Sequence, residues 1–433
     1  MRVQENIGKI SWSIADKGLY ILYGFVLLFQ IKALLPEDFG LFTQFNNLHT
    51  WIFIISDSFA LQSIIQFGAK HENRPKVNLL TLIIHIVIAL GSVSTIFIFQ
   101  DAIGAIVNQP RFNEIAAALP IMAILFIPRT YCIKFIYREH KMHFLFLVNF
   151  AWLGTMSALT VYLITIQKNL DFSDMLFISY IGAAASSFIA IILTFRELKF
   201  GFKGTISLKK LTNFGTPLVI YNSLHSMPKL LDVYVLQYFF STSAIGIYSS
   251  AKALFRFFEE AINGAHGLVY PAAVRKAEQN NTKELNDLMT KSVSFIFIAF
   301  LFVVILLEFG FSKLIIESFL SSSYVNAIGQ FNLMALSALA LPFAILSSLI
   351  VATGKPRVVL KIVFVSLIAS LLAFLLTGFI GEEAIVPLGY MVYIFVSGLL
   401  YFLYVNRNFD FKVVEILRAI GDSKHFIQNY FKK

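Results

Sequence analysis

Charge is scarce in this sequence. Asp, Glu, Lys and Arg make up 14% of the 433 residues, where a soluble globular domain carries about 25%. Apolar AVILMFWYC residues reach 58%, with 46 Phe among them, and that balance excludes a water-soluble fold. Cysteine is scarcer still. Cys132 stands alone, so no intramolecular disulfide and no four-thiolate metal site can form, and a small core residue is its expected role. Polar stretches of domain size are missing too: the longest, near 196–210 and 271–289, are linkers. No H-E-x-x-H, G-x-S-x-G or G-x-x-x-x-G-K-[ST] pattern occurs, which leaves no signature of zinc, serine-nucleophile or P-loop chemistry. His140 and His143 are a lone pair in a basic connection and read as surface residues.

What is abundant is long apolar runs. Twelve segments of about 20 residues or more are read at 10–35, 39–66, 78–100, 115–136, 144–166, 173–195, 211–240, 243–270, 290–309, 326–352, 358–380 and 384–405. About 20 apolar residues suffice for a helix to cross a hydrocarbon core. The runs are continuous, not alternating ten-residue strands, so a β-barrel is not expected. The first carries Asp16 and Lys17 and lacks a small-residue cleavage pattern, so it reads as a span and not as a signal peptide. The expected fold is all-α and integral to a membrane.

Basic residues set the expected orientation. With a cytoplasmic N-terminus, 26 of the 35 Lys and Arg fall in inner loops and tails, among them Lys70, Arg74, Lys134, Arg138, Lys141, Lys199, Lys355 and Arg357. Four fall outside, as Lys32, Arg111, Lys168 and Lys313, and five lie within segments. Both termini are then cytoplasmic. The net charge of +10 describes a basic face over anionic lipid and needs no nucleic acid. Residues 411–433 mix Val413, Ile416, Leu417 and Ile420 with Lys412, Arg418 and Lys424, and read as an amphipathic helix on the inner leaflet.

The two halves echo one another. Pro36-Glu37-Asp38-Phe39-Gly40-Leu41-Phe42 follows segment one, and Ser241-Thr242-Ser243-Ala244-Ile245-Gly246-Ile247-Tyr248 follows segment seven. Gly40 and Gly246 are 206 residues apart, close to half the chain. Six segments per half make the expected units parallel repeats: an N-terminal lobe at 1–205, a C-terminal lobe at 206–409, and a cytoplasmic tail at 410–433.

Charge set deep within a membrane segment is costly and marks candidate functional positions. Ten such residues stand away from the segment ends, and nine belong to segments one, two, seven and eight: Asp16, Lys17, Asp57, Lys229, Asp232, Lys252, Arg256, Glu259 and Glu260. Arg129 in segment four is the tenth. Asn222, His225, Lys229 and Asp232 share one helical face, as do Lys252, Arg256, Glu259, Glu260 and His266. Plainer readings exist. Lys229 with Asp232, and Arg256 with Glu259 or Glu260, have the spacing of intrahelical pairs. Lys17 is near enough to the edge to snorkel. Lys252 has no carboxylate three or four residues away. His residues such as His85 are expected to be interhelical hydrogen-bond partners.

The connection Ala352-Thr353-Gly354-Lys355-Pro356-Arg357-Val358-Val359-Leu360-Lys361 resembles the A-x-G-K-P turn, with a further Lys downstream, of polysaccharide exporters of the MOP superfamily, in the O-antigen flippase branch. The turns after segments one and seven are similar to that family's as well. The resemblance implies twelve transmembrane helices in two six-helix lobes forming a V-shaped, MATE-like transporter, with helices one, two, seven and eight around a cavity. It implies a flippase that moves a polyprenyl-diphosphate-linked oligosaccharide across a bacterial inner membrane by alternating access, feeding surface polysaccharide assembly. The expected substrate cations are Lys17, Arg129, Lys229, Lys252 and Arg256. Asp16, Asp57, Asp232, Glu259 and Glu260 are candidates for a coupling proton or sodium ion. No organic cofactor or resident metal is expected. Partners are the membrane, the lipid-linked substrate and assembly proteins. A MATE-type multidrug cation antiporter is the first alternative, and a membrane polysaccharide polymerase or ligase the second.

Overall fold

The computed structural model describes residues 3–279 and 282–409; the amphipathic tail expected over 410–433 lies outside them. Backbone groups in hydrocarbon have no water to bond, so they must be satisfied within helices or a closed barrel. The chain takes the first route, and the pairing of Leu34 with Leu170 is an isolated bridge between two turns.

Every expected segment is helical. Six lie in the first half: Val3–Ala33, Pro36–Ser56 continued to Phe67, Arg74–Ile98, Phe112–Arg138, Met142–Gln167 and Phe172–Thr194. Leu208–Leu230 with Asp232–Phe239, Thr242–Glu278, Thr282–Leu306 continued to Phe319, Ala327–Ala352 with breaks, Pro356–Ile380 and Leu388–Phe409 complete the series. Among the described residues, nine helices are long and apolar enough to cross a membrane, and a pair bent by 47° between Ser337 and Leu341 makes a tenth. Segments seven and eight fold as helices but are not among these spans; segment seven is broken at Leu231, and both carry many polar side chains. The count of twelve therefore stands at ten on length and apolarity alone.

Sequence punctuation explains the ends. Pro36 opens a helix after extended Leu35, with Glu37 and Asp38 in the first turn, where the helix dipole favours acids. Asp171 and Asp174 form a reciprocal capping box. Gly354 has φ +77, a left-handed conformation that favours glycine, and Pro356 then starts the next helix. The Gly-Lys-Pro-Arg motif is thus a helix stop and restart.

The chain divides into two compact units. One comprises Met1–Ser226, Val233–Gly246 and Phe319–Ser323; the other comprises Met227–Asp232, Ile247–Ser318 and Tyr324–Lys433. The first unit is tied at its basic end by Arg74 to Glu139 at 3.0 Å and Arg138 to Glu197 at 3.0 Å. Asn78 donates there to the carbonyls of Glu197 and Lys199. At the opposite end Arg111 grips Glu114 bidentately and reaches Glu37 and Asp38 at 3.2 Å. Those carboxylates, Glu114 foremost, hold the guanidinium pKa above its ordinary value.

At that same end the repeat mates meet within the first unit. A Cβ on Gly40 would lie 2.1 Å from the Thr242 carbonyl oxygen, and one on Gly246 would lie 1.8 Å from that of Pro36. Beside this contact Gln44, Gln109, Gln237 and Thr242 are buried and hydrogen-bonded to one another, Gln44 donating to Gln237 at 2.8 Å and Gln109 to Thr242 at 3.1 Å.

Candidate functional site

Four charged residues of segments seven and eight, Lys229, Asp232, Lys252 and Glu259, come together in the second unit, and their partners are not those that helical spacing suggests. The helix Leu208–Leu230 stops at Leu231 and restarts at Asp232. Pro228, just before the stop, removes a backbone donor and crowds the preceding turn. A break resets the phase of the side chains, so the i,i+3 relation between Lys229 and Asp232 no longer puts them together. Lys229 Nζ instead meets Glu259 Oε1 on segment eight at 2.7 Å. Asp232, its side chain wholly buried, pairs with Lys252 and accepts from the Tyr248 hydroxyl at 2.6 Å.

Lys252 is the most committed of these cations. Besides Asp232, its ammonium donates to the Lys229 carbonyl at 2.8 Å. It also lies 5.7 Å and 5.2 Å from the ring centres of Tyr248 and Tyr390, where the ring faces attract a cation. The carbonyl and the carboxylate lie on either side of the break, so Lys252 staples it. Glu259 accepts from the Tyr390 hydroxyl as well as from Lys229. Tyr248 and Tyr390, both fully buried, are members of the cluster that a search for charge alone missed; hydroxyl-bearing rings at buried positions were the available signal.

Arg256 stands apart. Its side chain is 61% exposed, and its contact with Glu260 is an i,i+4 pair at 3.5 Å, the intrahelical partner that spacing suggests. An exposed pair of that kind contributes a few tenths of a kcal/mol.

Segments one and four, with segment five, form a second cluster inside the first unit. Asp16 accepts from Asn149 Nδ2 at 2.6 Å, and Asn149 Oδ1 accepts from Arg129 at 2.6 Å. A neutral amide thus mediates between a buried carboxylate and a buried guanidinium. Arg129 lies 4.2 Å from the Trp152 ring centre and 4.9 Å from that of Phe126. Ser187 of segment six bridges to the same turn of helix: its hydroxyl accepts from the Arg129 N–H at 3.2 Å and donates to the Leu125 carbonyl. Pro128 beside it removes one backbone donor from that turn. Ser187→Ala should withdraw this bridge at a cost of about 1 kcal/mol. Thermal unfolding of S187A beside N149A checks the coupling: a double variant whose losses simply add would mean that Ser187 does not position Arg129.

Lys17 is exposed, 6.0 Å from the Tyr20 ring centre. Asp57 begins a π-helical turn, Asp57–Leu61, and pairs with Lys134 at 2.6 Å and with Gln62 at 2.7 Å. Lys134 was counted with an inner loop by sequence. It lies inside the helix Phe112–Arg138 and neutralises Asp57 there. His85 bridges Ser56 and Thr130, the interhelical bonding expected of it, and Cys132 is buried.

The candidate residues therefore form two groups. Lys229, Asp232, Lys252 and Glu259 converge in the second unit, with Arg256 and Glu260 one turn along. Asp16 and Arg129 are joined through Asn149 in the first, where Lys17 and Asp57 lie outside that chain of hydrogen bonds.

The profile of the polysaccharide biosynthesis protein family matches residues 9–275, well over half of the chain. No curated relative matches the sequence. Solved structures do match the fold. An inward-facing multidrug resistance MATE family transporter of the MOP superfamily superposes with a TM-score of 0.74 at 14% identity, over 93% of this chain and 95% of that one. The lipid II flippase MurJ in an inward closed conformation gives 0.74 at 14% identity, over 95% and 90%. A MOP superfamily transporter from Pyrococcus furiosus, described as having a binding pocket of reversed polarity, gives 0.58 at 16% identity, over 93% and 94%. The chain belongs to the polysaccharide biosynthesis protein family and has the fold of the MOP-superfamily transporters.

Proposed function

We propose that the protein flips a polyprenyl-diphosphate-linked oligosaccharide, an O-antigen or related surface polysaccharide unit, from the inner to the outer leaflet of a bacterial inner membrane, with both termini cytoplasmic. Family membership supports a role in polysaccharide export, and the likeness to a lipid II flippase supports a lipid-linked substrate. The observation that carries the reading is the standing of Arg256. Its guanidinium is accessible and weakly paired, one turn from the Lys229–Glu259 pair. A planar, permanently charged fork of donors suits phosphate oxygens, whereas a cation substrate would be repelled by it.

The membrane potential can drive such a transfer. Each negative charge moved outward, down an inside-negative potential, yields about 2.3 kcal/mol per 100 mV. In the first unit Lys17 is exposed and would meet the substrate's charge, with Arg129 a buried reserve of positive charge held by Asn149, and Asp16, Asp57, Asp232, Glu259 and Glu260 are where a proton or sodium ion would couple. Glycan assembly proteins would supply and receive the substrate.

Export in cells tests the reading. Deletion of the gene should remove surface glycan and leave lipid-linked units inside. Arg256→Ala should lower glycan display at least tenfold with an unchanged amount of protein in the membrane. Altered dye retention with normal glycan would instead identify a multidrug exporter, and display of single units would identify a polymerase.

A further inference from the structure

The two lysines of the second-unit cluster are held very differently. Lys252 is fixed by a buried carboxylate, a backbone carbonyl and two aromatic rings. Lys229 is 39% exposed along its side chain and is held at its ammonium by Glu259, at 2.7 Å. Glu259 in turn is mostly buried, and the Tyr390 hydroxyl also donates to it, so it retains a donor if the ammonium leaves. The carboxylate is anchored and the ammonium is the movable member.

We propose that Glu259 is an internal competitor for the phosphate-binding cation: in the empty carrier its carboxylate occupies the Lys229 ammonium, and the diphosphate of the substrate takes that ammonium away on loading. This inference rests on the phosphate-bearing substrate proposed above. A diphosphate brings more acceptor oxygens and more negative charge than one carboxylate, and Arg256, one turn before Glu260, adds a second donor group that Glu259 does not use. Neither proton nor covalent bond changes hands; one ion pair is exchanged for another.

The exchange also has a mechanical side. Lys229 lies two residues before the break at Leu231, whose far side is fixed by Asp232 to Lys252. Freed from Glu259, the Lys229 side chain no longer ties the near side of the break to segment eight, while the Lys252 staple remains. Substrate would thus loosen one side chain at a break already built into the helix.

An affinity that rises when an acid is removed distinguishes this role from a merely structural one. Undecaprenyl diphosphate is the probe, titrated against the full chain in nanodiscs. Glu259→Gln keeps the size of the side chain and an acceptor for Tyr390 but removes the competing charge. It should tighten binding at least threefold and slow transport, because release is no longer assisted by the returning carboxylate. Lys229→Gln combined with E259Q should bind more weakly than the native chain. Native binding with unchanged or weakened affinity in E259Q would overturn the competitor role and leave the flippase reading standing. Absence of binding to the native chain would overturn both. If E259Q loses cooperative melting, Glu259→Asp is decisive instead: it keeps the charge but draws it back by one methylene, and should tighten binding by a smaller factor, whereas unchanged affinity would reject the proposal.

Discussion

Replacing Lys252 by Met should cost about 3 kcal/mol of stability, because it leaves the buried Asp232 carboxylate without its cation. A carboxylate in water needs no partner. One whose side chain is wholly enclosed has already lost its hydration, and the Tyr248 hydroxyl, at 2.6 Å, supplies a donor without a charge. The break at Leu231 suffers as well, since the Lys229 carbonyl loses the ammonium that serves it. Asp232→Asn in the K252M background removes the orphaned charge and should recover most of the loss. Thermal unfolding of the two single variants and the double variant, followed by the fluorescence of the three Trp, gives the coupling directly. Additive losses would mean that the pair contributes nothing of its own. The double variant serves a second purpose: a stable protein without Lys252 shows whether export needs that ammonium for the substrate or only for the helix break.

The sequence carried the helices and the choice of charged segments but not the partners, and the reasons are physical. An apolar run long enough to span a bilayer has few alternatives to a helix, so all twelve segments are helical. Charge concentrated in four of them was legible because charge deep in a membrane segment is costly wherever it sits. Pairing depends on rotation about helix axes, and one broken helix changes it. Lys229 bypasses Asp232 for Glu259 because Leu231 interrupts the turn between them, and Lys252 finds on segment seven the carboxylate its own helix lacks. Asn149 and Ser187 were missed for a different reason. A neutral amide and a hydroxyl in apolar segments look like ordinary polar substitutions until Arg129 is seen to depend on both. Lys134 near the end of its segment looked like a loop cation, and only its distance to Asp57 identifies it as an interior counter-charge.

The largest effect expected of one added methyl group is at the turns that the repeat pointed to. Spacing marked Gly40 and Gly246 as equivalent turn residues; the structure packs each against the other's turn. A Cβ at Gly246 would overlap the Pro36 carbonyl oxygen at 1.8 Å, and one at Gly40 would overlap that of Thr242 at 2.1 Å. Backbone cannot swing aside as a side chain can, so Gly246→Ala should cost about 3 kcal/mol, the upper part of the usual range for overpacking, and should part the two turns. Gly264, on the same helix as Gly246, supplies the control: a Cβ there would meet nothing within 4 Å. Gly264→Ala should be neutral or stabilising by up to about 1 kcal/mol through helix propensity. Accessibility gives an independent readout, because Gln44 is fully buried beside the contact. A cysteine at position 44 should resist a water-soluble maleimide in the otherwise native chain and in G264A, and react in G246A. Equal melting of G246A and G264A, with position 44 protected in both, would mean that the turns separate without strain and that glycine is not required where the repeats meet.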